Sequence, residues 1–476
     1  MNPLFNKTKI VATMGPATDD INVLEQMFEE GLDICRVNFS HGDYSVIEKT
    51  VKNIGILNKK HKRHVGILAD LQGPKLRIGM VKNNKVVLEP GKEIIITTSE
   101  CEGDAEKVYI TYPQFPKDVK VGERVLIDDG KLSLEVLKTN GKDEVHCKII
   151  IGGDLSSKKG VNLPNTKISL PCLTEKDLRD LDFALEHNFD WIGLSFVRKV
   201  TDIADLKDVI KNKGKHARVI AKIEKPEAIK EIDQIIDLTD GIMVARGDLG
   251  VELPMEQVPM LQKMIVKKCI QASKPVIIAT QMMESMITSY TPTRAEVNDV
   301  ANAVMDGADA VMLSAETSVG KYPVKVIEMM RRIITQVEES ESIYYREHAP
   351  VIKNQTYITD SICFNACSLA HHSGVVAIIS MTNSGYTAFK LASHRPKANV
   401  FIFTDNYSLL TSLSLVWGVR GYYYDKYEST DQTISDLKLF IKKEKLVKVD
   451  DLVINIASMP MKEKGRTNMM KLSYIS

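Results

Sequence analysis

The sequence predicts an α/β protein: a (β/α)8 TIM barrel interrupted by a small all-β domain and followed by a doubly wound α/β domain. Three observations carry this. Roughly eight short apolar runs alternate with helical patterns between the N-terminus and residue 340, which is the rhythm of a parallel barrel. Polar residues recur where those runs end, namely Ser40, Asp70, Ser195, Glu224, Asp248, Thr280 and Glu316. Core packing does not explain such a ring, because unpaired buried polar groups are costly, and barrels of this kind carry their active sites at the C-terminal strand ends. Between about residues 75 and 170 the rhythm gives way to strand-like segments punctuated by Asn83-Asn84, Pro90-Gly91, Asp128-Asp129-Gly130 and Asn140-Gly141. The expected division is 1–73 with 171–340 for the barrel, 74–170 for the insertion and 341–476 for the third domain, in keeping with about three domains for 476 residues.

Composition narrows the class. With 44% hydrophobic and 26% charged residues the chain is ordinary for a globular protein. Lys+Arg 63 against Asp+Glu 62 leaves a net charge of +1, which offers no whole-protein attraction to nucleic acid or membrane. The seven cysteines follow no framework, and Cys363 and Cys367, spaced for one helix face, lack partner ligands, so they read as buried thiols. There is no signal peptide and no long uncharged apolar run, so a cytoplasmic location is expected.

In chain order, Lys9–Gly15 is a short strand, residues 19–30 a helix, and Asp33–Gly42 a strand whose Arg36, Asn38 and Ser40 share one face. Because the neighbouring runs are fully apolar, those polar groups must find partners. Helix 43–60 leads to Val65–Asp70, closing on a carboxylate. The insertion returns through Ser157-Lys158-Lys159-Gly160, a basic turn that taken alone reads as a solvated loop. Thr174 is placed to N-cap a helix over 175–187. Strand 190–196 and helix 201–213 then lead to the stretch around which the chain is organised.

That stretch is Ala221-Lys222-Ile223-Glu224-Lys225-Pro226 with Val244-Ala245-Arg246-Gly247-Asp248-Leu249-Gly250. Each continues an apolar run that reads as a buried parallel strand. Lys222 and Glu224 are two apart and point to the same side. A lysine, a glutamate and an aspartate converging at strand ends could hold a magnesium ion and a phosphate together, since magnesium needs only one or two carboxylates. For that pair alone a structural ion pair is the better account; the ring of polar strand ends reverses the preference. Helix 255–273, strand 275–282 ending at Thr280, helix 293–306 and strand 309–316 with Ser314 and Glu316 complete the barrel, and helix 323–339 closes it. The third domain has strand-like runs at 375–381, 399–404, 419–425, 451–457 and 471–476. Its turn Thr382-Asn383-Ser384-Gly385-Tyr386-Thr387 precedes a helix, where free N–H groups bind phosphate or simply cap.

Asn38-Phe39-Ser40-His41-Gly42, Lys222-Ile223-Glu224, Ala245–Gly250, Ala279–Met286, Pro292–Glu296 and Leu313–Thr317 together resemble the pyruvate kinase family, and the resemblance runs from the N-terminus to the last strand. It implies the reaction of phosphoenolpyruvate, ADP and a proton to pyruvate and ATP, and an inserted β-barrel that closes as a lid about hinges at 71–75 and 170–173. By the resemblance, Glu224 and Asp248 match the ligands of a divalent metal, Mg2+ or Mn2+. Lys222 matches the lysine facing the transferring phosphoryl group, and Arg36 a second phosphate contact. The segment Ala245, Arg246, Gly247 matches the site for the substrate carboxylate. Thr280 matches the residue delivering a proton to the enolate carbon, with Ser314 and Glu316 extending the relay. Asn38, His41, Arg77 and Lys159 match contacts to ADP, so the basic turn acquires a function. Asn38, Ser40, Asp70 and Leu71 match a monovalent-cation pocket. No separate segment precedes the first strand, so a family function residing in one is expected to be absent.

Two departures sharpen the expectation. Family members that require potassium carry a glutamate where this chain has Lys75, so Lys75 is expected to substitute for the ion and make K+ dispensable. Sugar-bisphosphate-activated relatives carry an arginine where this chain has Tyr386, which leaves AMP, a sugar monophosphate and fructose 1,6-bisphosphate as alternatives for a phosphorylated allosteric effector at 382–387, enclosed by the loop 459–467 with Lys462, Lys464 and Arg466. The family also implies a homotetramer. Another magnesium-dependent, enolate-forming barrel enzyme, an aldolase or lyase, is the alternative; the insertion with Lys159 argues against it, and ATP formation separates the two. A non-catalytic protein on this fold is disfavoured because every matched position is filled.

Overall fold

The structure, a computed structural model, describes residues 6–40, 42–426, 429–459 and 465–476. Eight parallel strands, Lys9–Thr13, Ile34–Asn38, Gly66–Asp70, Trp191–Leu194, Arg218–Ile223, Gly241–Ala245, Val276–Ala279 and Ala310–Leu313, close into a barrel in sequential order, the first also pairing with the eighth. Each strand alternates between two environments. Val11, Ile34, Leu68, Trp191, Ile220, Met243, Ile277 and Ala310 form an apolar cluster inside the barrel, while Ile10, Cys35, Ala69, Val219 and Val244 pack outward against helices. On four of the strands, stepping two residues on from the inward set reaches Thr13, Arg36, Asp70 and Lys222. The same alternation that fills the barrel with hydrophobic side chains therefore lines its mouth with polar ones.

Helix starts follow local chemistry. Thr174 and Thr293 cap the helices Glu175–Glu186 and Arg294–Asp306 through capping boxes with Asp177 and Glu296. The expected helix 255–273 is a 3-10 turn, Met255–Gln257, followed by helix Val258–Ala272, with Pro259 in its first turn, where a missing N–H costs nothing.

The inserted segment is a seven-stranded sheet with its own core of residues such as Ile96, Val125, Leu134 and Val145. A bridge between Ile78 and Ile110 joins its outer strands and closes it into a small barrel. The third region is a five-stranded sheet, in spatial order Val419–Tyr423, Asn399–Thr404, Ala377–Met381, Leu452–Ala457, Met469–Tyr474. Apolar clusters lie on both faces, as in a doubly wound fold, but the last strand runs antiparallel at the edge. Among the described residues no helix is long and apolar enough to cross a membrane.

Candidate active site

At the barrel mouth six polar side chains from the ends of five neighbouring strands meet. Lys222 Nζ lies 3.0 Å from Asp70 Oδ1 and 2.9 Å from Glu224 Oε1, and donates to Ser195 Oγ at 2.7 Å. Arg36 holds the other oxygen of Asp70, with Nε and Nη2 at 2.7 and 2.5 Å from Oδ2, and donates from Nη1 to Thr13 Oγ1 at 2.8 Å. Ser195 Oγ in turn donates to the Leu71 carbonyl at 2.6 Å. Glu224 Oε2 accepts from the Phe196 N–H at 2.8 Å.

All of these groups except Arg36 and Phe196 are a tenth or less exposed, so burial opposes the charges among them. The outcomes differ with company. Burial raises Asp70, but Lys222 and Arg36 more than reverse it and hold the carboxyl below its usual range. Burial lowers Lys222, yet Asp70 and Glu224 push it well above an ordinary lysine, so it remains charged. Glu224 stays raised because burial, with Asp248 adding to it, outweighs Lys222. Asp248, in the first turn of helix Arg246–Glu252, receives no hydrogen bond or ion pair among the described residues. A buried carboxylate, Glu224, beside a second one that has no protein donor among the described residues suits a divalent cation, which would neutralise both.

A second cluster surrounds Thr280. The Gly247 N–H donates to Thr280 Oγ1 at 2.7 Å, and that hydroxyl donates to the Ala279 carbonyl at 2.6 Å. A Cβ on residue 247 would stand 3.3 Å from Thr280 Oγ1, so glycine permits the approach. Thr280 and Gln281 both have positive φ, 70° and 54°, a conformation costing about 1–3 kcal/mol at each non-glycine residue. What holds it is Arg246. Its guanidinium grips Asp299 bidentately at 2.6 and 2.7 Å and donates to the Thr280 carbonyl at 2.7 Å. Arg246 thus braces the Thr280 turn with its side chain. Glu316 accepts from the Ser314 and Met283 N–H groups at 2.6 and 3.2 Å, fixing the loop that carries Ser314.

The remaining residues fall into separate places. Asn38 pairs in register with Asp70, and its Oδ1 accepts from the Ser40 N–H at 3.0 Å. Lys75 is half-buried and lines a small cavity with Asp248, Phe196, Arg198 and Lys225. Arg77 and Lys159 lie at the junction of two paired strands of the inserted domain and bond within it, Arg77 to the Lys158 carbonyl at 3.1 Å and Lys159 to Asp128 at 2.9 Å. His41 lies outside the described residues, as do Lys462 and Lys464. Far from the mouth, Thr382, Asn383, Ser384, Tyr386 and Thr387 line a cavity of about 400 Å3 with Thr356, Ser458 and Arg466. It sits where the sheet order reverses, between the ends of strands Ala377–Met381 and Leu452–Ala457, the crevice in which such sheets bind ligands. Gly385, with φ 84°, caps the helix Tyr386–Ser393 beside it.

Sequence reading missed Thr13, the partner of Arg36, although the first strand also ends in a hydroxyl. It assigned no task to Ser195, and it had no signal for Asp299, which reaches Arg246 from a helix 53 residues on.

Comparison with known proteins gives one answer. A family model for the pyruvate kinase barrel domain matches residues 5–327, and one for the pyruvate kinase alpha/beta domain matches 360–473. The chain is 41% identical over 477 residues to a pyruvate kinase of Geobacillus stearothermophilus, covering 99% of this chain and 80% of that one. It is 41% identical over 469 residues to one of Corynebacterium efficiens, covering 98% of each. A crystal structure of a pyruvate kinase from Cryptosporidium parvum matches with a TM-score of 0.92 at 35% identity, over 99% of this chain and 96% of the other.

Proposed function

The chain belongs to the pyruvate kinase family, and on that premise we propose how its residues share the work. It is a glycolytic phosphotransferase: phosphoenolpyruvate and ADP are its substrates, pyruvate and ATP its products. The family is metal-dependent. Glu224 and Asp248 would hold Mg2+ or Mn2+, which when bound supplies positive charge to the phosphoryl oxygens. The partnerless carboxylate of Asp248 is the observation that carries this assignment.

Lys222, kept charged by Asp70 and Glu224, faces the transferring phosphoryl group as a fixed cation, with Arg36 beside it. The phosphoryl group passes from the enol oxygen to the terminal oxygen of ADP, leaving an enolate that needs a proton at carbon. The Gly247 N–H is the donor aimed at the substrate carboxylate, with Ala245 and Arg246 shaping its approach. That donor is now spent on the Thr280 hydroxyl. When the carboxylate takes it, Thr280 is freed to pass a proton through water, with Ser314 next in line. A threonine hydroxyl is too weak an acid to act otherwise. Arg77 and Lys159, with Asn38 and His41, meet ADP as the domain 74–170 closes over the barrel formed by 1–73 and 171–340 and excludes water.

For potassium, the pocket Asn38, Ser40, Asp70 and Leu71 is present, but both oxygens of Asp70 are already committed to Arg36 and Lys222. Lys75 beside Asp248 supplies the missing charge, so activity persists in tetramethylammonium buffer free of potassium, sodium and ammonium. Lys75→Glu should make activity depend on added potassium. Near-complete loss in that buffer, restored by potassium, would refute the assignment. The cavity at 382–387 in the domain 341–476 takes a phosphorylated effector, AMP, a sugar monophosphate or fructose 1,6-bisphosphate, acting by tighter binding to one of two states. If none shifts the phosphoenolpyruvate saturation curve, the site is vestigial. The working form is a cytoplasmic homotetramer, which sedimentation would check.

A further inference from the structure

Three polar side chains beside the Lys222 cluster take no part in the roles above. Lys225 follows Glu224 directly, and Glu252 lies one helical turn past Asp248. Asn162 belongs to the inserted domain, in the strand Gly160–Asn162 that continues from Lys159. Glu252 gathers the other two. Its Oε1 accepts from Lys225 Nζ at 2.6 Å and from Asn162 Nδ2 at 2.8 Å. Lys225 and Glu252 are each 5% exposed, and Oε2 of Glu252 is buried without a donor among the described residues. Burying an ion pair and leaving one carboxylate oxygen unmade is costly, and apolar residues of similar size would pack at least as well.

We propose that Lys225, Glu252 and Asn162 form a latch that seats the inserted domain over the reacting phosphoryl group, with Glu252 as its receiver. The proposal rests on reading residues 74–170 as a lid. The latch is attached on the barrel side to the proposed metal ligands, Lys225 by a peptide bond to Glu224 and Glu252 by four residues of helix to Asp248. Where Asn162 docks is therefore fixed relative to those carboxylates. On the lid side, Gly160 pairs with Arg77, and Val161 with Leu76 and Ile127, so Asn162, Lys159 and Arg77 travel as one piece. The nearby return of the lid is held to the barrel by Arg198, which donates to the Ile168 and Leu170 carbonyls at 2.7 Å each. Lys225 holds Glu252 in place when the lid is away, and the vacant Oε2 can take a second donor as it settles. One hydrogen bond to a charged acceptor shifts an open-to-closed ratio by roughly tenfold to a hundredfold, enough to favour closure and weak enough to release product.

A loosened lid admits water to the phosphoryl group. Water oxygen then bonds to phosphorus as the bond from phosphorus to the enol oxygen breaks. One water proton goes to solvent, the enolate takes a proton at carbon, and phosphoenolpyruvate plus water gives pyruvate plus orthophosphate.

The test uses the full-length protein with Asn162→Leu, Asn162→Asp, and Asn162→Asp combined with Glu252→Gln. It measures KM for ADP, the ratio of orthophosphate to ATP, and hydrogen exchange at hinges 71–75 and 170–173. Asn162→Leu should raise KM for ADP about tenfold, with a smaller change in kcat, and raise the orthophosphate share. Asn162→Asp, facing Glu252, should do more of both. The double variant should restore the parent ratio, because the new amide donates to the new carboxylate while Lys225 keeps an anionic partner. A merely structural Asn162 would change stability without moving the ratio. An unchanged KM and ratio in folded Asn162→Leu, or no rescue in the double variant, overturns the latch. Hinge exchange separates the two failures. If ADP with Mg2+ leaves the parent hinges unprotected, the lid reading has failed and the latch with it; if the parent responds and the Asn162 variants respond identically, the latch alone has failed.

Discussion

At the C-terminal ends of the barrel strands, Lys222 faces Asp70 and Glu224 around the space proposed for the substrate. At the N-terminal ends, Asp309 faces Arg395 of the third domain at 2.9 Å and also accepts from the Val276 and Trp417 N–H groups. Both are ion pairs buried in the same barrel, and both look alike in a list of charged strand-end residues. They differ in what surrounds them. The bonds of the floor pair run between domains: Arg395 also donates to the Gly307 and Ala392 carbonyls and lies over the Trp417 ring, with its Nε buried and unbonded among the described residues. Around it, Asp190 accepts from Thr411, Trp191 donates to the Ser412 carbonyl, and Lys9 to the Val419 carbonyl. Each of those bonds ties the barrel to the third domain. The mouth cluster is bonded within the barrel, and Asp248 beside it has no donor among the described residues. A buried charge marks assembly where its bonds run to another domain, and marks chemistry where they stay within the barrel beside a carboxylate left open.

The largest effect should come from breaking the floor. Asp309→Ala leaves the Arg395 guanidinium buried and unpaired, which costs about 3–5 kcal/mol. Denaturant unfolding should show that loss, while the protein that remains folded turns over at near the parent rate. Loss of turnover with stability intact would place the floor within the catalytic machinery. The mouth should behave oppositely. Lys222→Met should lower kcat by about 100- to 1000-fold, as for removal of one transition-state cation, with a smaller change in unfolding midpoint. Thr280→Ala should separate two steps within the mouth. Isotope exchange at the pyruvate methyl group should fall about 100-fold, and phosphoryl transfer to ADP less. Equal losses in both would remove the division between Lys222 and Thr280.

The mouth was more legible in the sequence than the floor, for a physical reason. Strand alternation is local, so once Ile220 faces inward, Lys222 must as well, and the polar ring can be read from spacing alone. The floor ties depend on how a later domain docks: Asp309 and Arg395 are 86 residues apart, and no period links them. The same limit hid the bracing of Thr280 by Asp299 through Arg246, and the meeting of Asn162 with Glu252 across 90 residues. The antiparallel direction of the edge strand Met469–Tyr474 was hidden because a largely exposed run reads the same in either direction. The Thr174 and Thr293 caps were legible because their whole apparatus lies within four residues.

The smallest effect sharpens the comparison through pH. Asp70 and Asp190 are both buried strand-end aspartates, one at the mouth and one on the floor. Asp70 has two cations and is held below the usual carboxylate range in spite of its burial. Among the described residues Asp190 is held by neutral donors, the Thr411 hydroxyl, the Ile67 N–H and its own N–H, and burial carries it up to about 7. The signs of their contributions are therefore opposite. Between about pH 4 and pH 7 folded Asp190 keeps a proton that the unfolded chain has already released. The folded state binds more protons there, so this group's contribution to stability falls as pH rises through that window and levels off above it. Asp70 contributes most above the unfolded carboxylate range and loses its contribution as pH falls. Asparagine at position 190 has no proton to lose, and Asp70 is common to both proteins and cancels in the difference. The parent should therefore lose stability relative to Asp190→Asn as pH rises from 5 to 8, by on the order of 1–3 kcal/mol. Denaturant unfolding of both proteins across that range measures it. A difference that stays flat, or that grows in the parent's favour with pH, would mean that Asp190 is ionised in the fold and that the floor, like the mouth, supplies a cation to each carboxylate.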